Sequence, residues 1–170
     1  NKMKPFLFFK ELKSEIDNID TKLIESTEKL FKNVKKKDSK VIIIGNGGNS
    51  STCTHVSNDL TNYSKIRSIN FNDPNLITCF ANDFGYENWV SRALNFYCRK
   101  NDLVVLLSAG GNSKNILNAA NYCKKKRINL ITLSGINKNN KLRSYGRYNF
   151  YVNSKNYNIV ESIQLNILLS

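Results

Sequence analysis

The sequence predicts an α/β fold with a doubly wound parallel sheet flanked by helices. Two continuous apolar segments, residues 41–44 and 103–107, lack any polar alternation, which is typical of strands buried on both faces. Each segment is followed at once by a loop of small residues and then by a stretch of helical period. Further strands are predicted at 129–133 and 148–152. Strands that alternate with helices in this way favour a parallel sheet. Ligands in such sheets bind at the carboxyl ends of the strands, where we expect the loops at 45–52 and 108–113 to meet.

The first 38 residues are predicted to form an N-terminal helical segment, and residues 39–170 the sheet domain. Apolar residues recur near helical spacing in the first segment, which predicts one or two amphipathic helices. Phe6, Phe8 and Phe9 add a broad apolar face that one small sheet does not cover. We therefore expect a homo-oligomer with these helices in its interface.

The remaining elements connect or follow the strands. Residues 68–71 form a short extended candidate that ends at an Asn-Asp-Pro sequence. The last segment is still apolar and helical at Ser170, so we expect an incomplete C-terminal helix. The other predicted elements are helices at 51–63, 87–97, 114–126 and 159–170, and a short helix or turn at 75–81.

The turn at residues 45–48 reads Gly-Asn-Gly-Gly and separates the first strand from a helix. Glycine permits positive φ and lets backbone N–H groups approach a ligand. Residues 49–52 are all good N-cap types, so a helix is predicted to begin there. A strand, a glycine turn and a helix N-terminus together form an anion-binding site, and phosphate is the expected ligand. The alternative is a plain β–α turn that binds nothing.

The composition is that of a globular protein, with 41% hydrophobic and 11% aromatic residues in a chain of 170. The net charge of +13 raises nucleic acid as a partner. However, the basic residues are scattered, and the short runs at 35–37 and 124–127 carry no interleaved aromatics or nucleic-acid motif. A compositional bias explains this charge better. Nucleic-acid binding is therefore the least supported hypothesis, and it would require an affinity that falls steeply as the salt concentration rises.

The four cysteines are far apart, without the spacing of a zinc ribbon or a thioredoxin-type motif. Dispersed cysteines in an α/β chain are typical of reduced thiols in a cytoplasm. The sequence also lacks an apolar run of transmembrane length and a signal peptide. We therefore expect a cytoplasmic protein with no membrane association.

Four motifs in series resemble the SIS-domain family, and most closely its phosphoheptose isomerase branch. They are GNGGNSSTCTH at 45–55, ANDFGYE at 81–87, LLSAGGNSKNIL at 106–117 and TLSG at 132–135. The resemblance runs from the N-terminal helices to Ser170. It implies a doubly wound, flavodoxin-like sheet, a phosphosugar pocket, no nucleotide cofactor, and a homotetramer with sites at subunit interfaces.

The resemblance also implies which residues bind the sugar phosphate. The glycine turn matches the family, but Asn49 stands where relatives carry a serine. The second loop usually reads S-T-S-G-N-S, and residues 108–113 lack two of its hydroxyls, so weaker phosphate binding is expected. The implied substrate-binding residues are Asn46, Gly47, Gly48, Asn49, Asn82, Asp83, Ser108, Ala109, Gly110 and Ser113.

The implied catalytic positions depart further from the family. The isomerases carry a His and a Glu at i and i+4 on the first helix after the glycine turn. They add a Gln late in the chain and a second His eight residues on. His55 matches the first, Asp59 replaces the Glu, and Glu161 replaces the Gln. Leu169 falls where the second His belongs, and His55 is the only histidine of the chain.

The resemblance therefore implies two alternative functions. The first is aldose–ketose isomerisation of a sedoheptulose 7-phosphate-like sugar for surface polysaccharide synthesis. Asp59 or Glu161 would be the base, provided that burial raises its pKa. His55, Asp59 and Glu161 also form a reasonable zinc set, and we expect them to approach one another within or between subunits. The second is a catalytically degenerate module that binds a phosphosugar or a protein, with His55 and Asp59 as ordinary surface residues.

Overall fold

A computed structural model describes residues 3–170 and contains one five-stranded sheet in which all strands are parallel. The strand order is β2-β1-β3-β4-β5, which is the order of flavodoxin-like doubly wound folds. This confirms the predicted fold class. The strands are β1 (Val41–Gly45), β2 (Ser68–Ile69), β3 (Leu103–Ser108), β4 (Asn129–Ser134) and β5 (Tyr148–Tyr151).

Seven α-helices and one 3₁₀ turn complete the described part of the chain. The N-terminal segment forms two helices, and the C-terminal helix begins slightly earlier than predicted. The 3₁₀ turn covers Lys141–Ser144 and was not predicted. The helices are α1 (Pro5–Asp17), α2 (Thr21–Lys36), α3 (Gly48–Asn62), α4 (Pro74–Phe84), α5 (Trp89–Tyr97), α6 (Lys114–Lys126) and α7 (Tyr157–Leu169).

Two predicted helix ends near a glycine differ most from the structure, each by three residues. Helix α3 begins at Gly48, with Gly47 as its N-cap at φ 57° and no side-chain cap. The predicted polar N-cap residues therefore lie inside the helix, because the glycine turn itself supplies the change of direction. Helix α4 continues through Asp83 and Phe84 and ends only at Gly85, whose φ is 81°.

The strands are continuous apolar runs because helices cover both faces of the sheet. Val41 and Ile43 of β1 point to the layer formed by α2, α3 and α7. Ile42 and Ile44 point to the layer formed by α5 and α6. All five residues of β1 and all six of β3 are buried. A strand of this kind cannot alternate apolar and polar side chains without placing a polar group in one of the two cores.

The N-terminal helix α1 has no buried residue and leaves part of its apolar surface in solvent. Phe6 is 76% exposed and Phe9 is 64% exposed. Phe8 is different, since it packs against the core with Leu12. The predicted apolar face is therefore narrower than expected, because one of its three phenylalanines holds α1 on the domain. Within residues 3–170, none of the helices combines the length and the apolar character needed to cross a membrane.

All four cysteines are free thiols. Cys53, Cys98 and Cys123 are buried, and burial raises the pKa of the Cys53 thiol to about 12 and that of Cys98 to about 11. These thiols stay protonated and unreactive at neutral pH. They act as small apolar residues of the core.

An ion pair fastens the starts of the two central strands. Asp102 is 2% exposed, and its carboxylate lies 2.6 Å from the Lys40 ammonium. The same carboxylate accepts hydrogen bonds from the backbone N–H groups of Lys40 (3.0 Å) and Arg99 (2.7 Å). One side chain thus binds the link before β1 to the link before β3, which fixes the register of these strands.

Replacing this carboxylate should therefore be costly. We expect Asp102→Ala to lower the free energy of unfolding by about 3 kcal/mol, because it leaves a cation and two N–H groups without an acceptor. Urea unfolding followed by circular dichroism measures the loss. Glu25→Ala is the matched control, since Glu25 is exposed on α2 and its carboxylate makes no hydrogen bond or ion pair with a described residue. The control should change stability by less than about 0.5 kcal/mol. Equal losses in both variants would contradict the role of Asp102.

Candidate functional site

A polar cleft lies at the carboxyl edge of the sheet, between the loops that follow β1, β3 and β4 and the start of α7. Its volume is about 580 Å³. Strands β1 and β3 are neighbours with Gly45 opposite Leu107, so the two predicted binding loops leave the sheet side by side. This confirms that the loops converge in one cleft. The lining residues are Asn46, Asn49, Ser108, Ala109, Gly110, Asn112, Ser113, Ile136, Asn137, Tyr157 and Glu161.

Two hydrogen bonds between carboxamides join the first loop to helix α6. The Asn46 amide nitrogen donates to Asn115 Oδ1 at 3.0 Å, and the Asn115 amide nitrogen donates back to Asn46 Oδ1 at 2.9 Å. Asn115 is only 2% exposed. The pair holds the glycine turn after β1 against the helix that begins after the second loop. Asn115 has no part in the predicted site, since a single asparagine within a helix gives no signal in the sequence.

The second loop is shaped from within and from outside. The Gly111 N–H donates to Ser108 Oγ at 3.1 Å, and that hydroxyl lies 3.3 Å from Ser113 Oγ. Gly111 has a φ of 65°, and the Asn140 carboxamide fills the space that a Cβ would need there. The Leu142 N–H also donates to the Gly111 carbonyl at 3.0 Å. The segment before β5 therefore braces the loop, and both serine hydroxyls remain on the cleft side.

Asn49 lines the cleft, and the side-chain oxygen of its carboxamide is a hydrogen-bond acceptor without a donor within residues 3–170. It lies in the first turn of α3 and is 2% exposed, and its Oδ1 finds no hydrogen-bond donor among the described residues. A buried acceptor without a partner costs about 1–3 kcal/mol. The cleft therefore offers a ligand hydroxyl a favourable partner at this position. In the resembled family a serine stands here.

Glu161 is the charged residue among the described residues that line the cleft. It lies in α7, and its carboxylate packs against Gly48 at the start of α3, with Cδ 2.8 Å from where a Cβ of residue 48 would be. Loss of solvent around the carboxylate raises its pKa above the ordinary value for glutamate. A carboxyl group of raised pKa at the rim of a cleft is suited to proton transfer.

His55 and Asp59 lie elsewhere on α3. As the spacing predicts, they share one face, and Nε2 of His55 is 3.2 Å from Oδ2 of Asp59. Their side chains are 54% and 34% exposed and do not line the cleft. Glu161 contacts residue 48, which lies about 10 Å along the helix from His55.

The three proposed zinc ligands therefore do not come together within one chain. Residues 3–170 contain no group of three or more His, Cys, Asp or Glu side chains that could hold a metal ion. The expectation of a zinc site within one subunit is wrong, because Glu161 contacts the start of α3 and His55 lies about 10 Å further along that helix. The version in which a neighbouring subunit supplies Glu161 stays a prediction.

Asn82 and Asp83 also lie outside the cleft of their own chain. They occupy the last turn of α4, are exposed, and are joined by a hydrogen bond of 3.1 Å from the Asn82 amide to Asp83 Oδ1. The other predicted binding residues lie in or beside the cleft. Gly47 and Gly48 form its turn, and Asn46, Asn49, Ser108, Ala109, Gly110 and Ser113 line it.

Four lining residues were not predicted from the sequence. Asn112 lies in the second loop, Ile136 and Asn137 lie in the loop after β4, and Tyr157 begins α7 directly after the loop that follows β5. The rule that ligands bind at the carboxyl ends of parallel strands could have indicated the last two loops, because the strands before them were predicted correctly. The lining is thus rich in carboxamides and hydroxyls, which would hold a phosphate by neutral donors.

A doubly wound sheet with a polar cleft at its carboxyl edge defines an α/β domain that binds a small polar ligand. The sequence profile of the SIS domain matches residues 7–135. Since this match covers more than half of the chain, the chain belongs to the SIS-domain family.

Two curated relatives of this chain carry the name phosphoheptose isomerase. The chain is similar to the phosphoheptose isomerase of Haemophilus ducreyi, with 36% identity over 124 residues, which are 70% of this chain and 64% of that protein. It is also 38% identical over 134 residues to the phosphoheptose isomerase of Buchnera aphidicola, covering 76% of this chain and 67% of the relative. The match thus spans about two thirds of the length of these relatives.

A solved structure shows the same fold over nearly the whole chain. The phosphoheptose isomerase of Francisella tularensis superposes with a TM-score of 0.87 at 20% identity. The match covers 98% of this chain and 95% of that one. Helices α1 and α2, the sheet and helix α7 therefore belong to one architecture.

The contact between Gly48 and Glu161 can be tested by a double-mutant cycle. We expect Gly48→Ala to lower the free energy of unfolding by about 1 kcal/mol or less, because its Cβ displaces only the end of the flexible Glu161 side chain. In a Glu161→Ala background the same change should be neutral or stabilising, since alanine favours a helix over glycine. Urea unfolding measures all four proteins. The same loss in both backgrounds would show that the carboxylate does not occupy this space.

Proposed function

We propose that this chain is a phosphosugar isomerase that interconverts the aldose and ketose forms of a sedoheptulose 7-phosphate-like heptose phosphate. The observation that carries the proposal is the cleft itself. It combines two loops of neutral phosphate-binding donors with a single carboxyl group whose pKa is raised. The relatives named phosphoheptose isomerase support the substrate class. Synthesis of a surface polysaccharide would be the pathway.

The two ends of the substrate fit different parts of the cleft. Ser108, Ser113 and the backbone N–H groups of the second loop would bind the phosphate, because hydroxyl and amide donors converge there. The open acceptor of Asn49 would receive a sugar hydroxyl. Glu161 would then take a proton from the carbon next to the carbonyl and return it to the neighbouring carbon.

A second copy of the chain would complete the site. Asn82 and Asp83 are exposed and lie away from the cleft of their own chain, so they would serve the cleft of a neighbour. The same holds for a zinc ion at His55 and Asp59, which would need a third ligand from another subunit. Exposed Phe6 and Phe9 on α1 give such an assembly an apolar contact surface. A cytoplasmic homotetramer is the assembly we propose.

The activity is tested by incubating the purified chain with sedoheptulose 7-phosphate, with and without added zinc. We expect turnover, and Glu161→Gln should lower kcat by about 10²–10⁴-fold with little change of KM, because the amide cannot accept the proton. If Asp59 is a zinc ligand, Asp59→Asn should lower the affinity for zinc. If Asp59 is instead the catalytic base, the same substitution should lower kcat without changing zinc affinity. Glu28→Gln, which changes an exposed carboxylate on α2, is the control.

Two results would contradict this assignment. Full activity in both the Asp59 and Glu161 variants would exclude both carboxylates from the chemistry. Binding of the sugar phosphate without any turnover, with or without zinc, would favour the second candidate function. That candidate is a phosphosugar-binding module that lacks catalysis, and Leu169 favours it because its side chain cannot transfer a proton.

Assembly is tested by light scattering at micromolar concentration. We expect the parent chain to have the mass of a tetramer, and Phe6→Asp/Phe9→Asp to shift it to smaller species, because two charges would enter an apolar interface. Tyr63→Asp changes an equally exposed ring at the other edge of the sheet and should leave the mass unchanged. A monomeric parent, or a double variant with the parent's mass, would contradict an interface formed by α1.

A further inference from the structure

Lysines and arginines that are scattered along the sequence are gathered by the fold at the amino edge of the sheet. In a parallel doubly wound fold every helix that leads into a strand ends at this edge. Here the last turns of α2 and α6 are basic, and so are the links that follow α2, α3, α5 and α6. We call this surface the basic edge, and it consists of Lys35, Lys36, Lys37, Lys40, Lys65, Arg67, Arg99, Lys100, Lys124, Lys125, Lys126 and Arg127.

The basic edge holds most of the excess charge of the protein. Segments 33–40, 59–67, 94–102 and 123–128 contain 12 of the 26 basic residues but only three of the 13 acidic ones. The rest of the chain carries the remaining +4, from 14 basic and 10 acidic residues. The four helix C-termini at this edge each contribute roughly half a negative charge, or about −2 in total. A net charge of about +7 remains on one side of the molecule.

Direct contacts join the first three of these segments, and the strand order places the fourth beside the third. The Lys35 ammonium donates to the Ser64 carbonyl at 2.8 Å, which joins the first segment to the second. The Lys37 ammonium lies 3.5 Å from Asn101 Oδ1, which joins the first segment to the third. The fourth segment enters β4, the neighbour of β3 in the sheet. Lys40 is engaged by Asp102, and the other eleven cations are exposed.

Exposed aromatic rings lie in two of the same segments as these cations. Tyr63 is 76% exposed in the link after α3, and Phe96 and Tyr97 at the end of α5 are 56% and 46% exposed. These rings are distant in the sequence from the lysine runs at 35–37 and 124–126, so the sequence alone did not show that they share an edge of the sheet with them. Exposed rings beside cations suit a chain that carries both phosphates and stackable bases.

We propose that the basic edge binds single-stranded nucleic acid. The cations neutralise the phosphates, and Tyr63 with the rings of α5 stacks on unpaired bases. A duplex offers no exposed base faces, so the aromatic rings favour the single strand. The cleft lies at the opposite edge of the sheet, so both surfaces can be occupied at once. The proposal therefore stands apart from the isomerase assignment.

Fluorescence anisotropy of a labelled 20-nucleotide oligodeoxythymidine tests the proposal on the full chain. We expect binding that weakens linearly on a log–log plot against salt. Lys124→Gln/Lys125→Gln/Lys126→Gln should reduce the slope by about 2, because each phosphate contact contributes about 0.7. The matched control Lys13→Gln/Lys22→Gln/Lys29→Gln removes the same charge from exposed sites on α1 and α2. It should keep the parent slope, and circular dichroism verifies that both variants fold.

The aromatic contribution is tested at Tyr63. Tyr63→Ala should weaken binding roughly fivefold or more, whereas Tyr63→Phe should bind like the parent because it keeps the ring. The proposal is overturned if the parent does not bind, or if both triple variants lose affinity equally, which would show attraction by net charge alone. It is also overturned if a duplex of the same length binds as tightly with no effect of Tyr63→Ala. Binding to phosphatidylserine vesicles without binding to the oligonucleotide would assign the surface to lipid instead.

Discussion

The burial of parallel strands on both faces is the constraint on which the rest of this protein depends. Since β1 and β3 have no solvent-facing side, polar chemistry can appear only where the strands end. Parallel direction then separates the two ends. Every loop that leaves a strand gathers at one edge, and every helix that returns to a strand ends at the other. The cleft and the basic edge are opposite consequences of the same strand direction.

The cleft is built mainly from neutral groups. Carboxamides and serine hydroxyls line it, and the second loop is held by Asn140 from outside as well as by its own Ser108 hydroxyl. Such a lining can accept a phosphate without the desolvation of a lysine or an arginine. The cost is an open acceptor at Asn49 in the free protein. A site of this kind selects ligands by the directions of hydrogen bonds more than by charge.

The sequence was sufficient for the fold and for half of the site. Strands without alternation, and loops of small residues after them, predicted the sheet, its direction and the convergence of the two loops. Contacts between side chains distant in the sequence were beyond such reasoning, including Asn46 with Asn115 and Glu161 with Gly48. The placement of His55 failed differently. Its pairing with Asp59 follows from helical spacing, but the distance to Glu161 depends on how α7 packs on α3.

The two hydrogen bonds between the side-chain carboxamides of Asn46 and Asn115 hold the glycine turn to α6 through groups that do not titrate. Neither group gains or loses a proton between acid and alkaline pH, and uncharged hydrogen bonds respond little to salt. The spacing between the glycine turn and α6 is therefore the same in conditions under which Glu161 changes its charge. Acidity can alter the chemistry of the cleft while its shape stays constant. Binding and proton transfer are in this way assigned to separate sets of atoms.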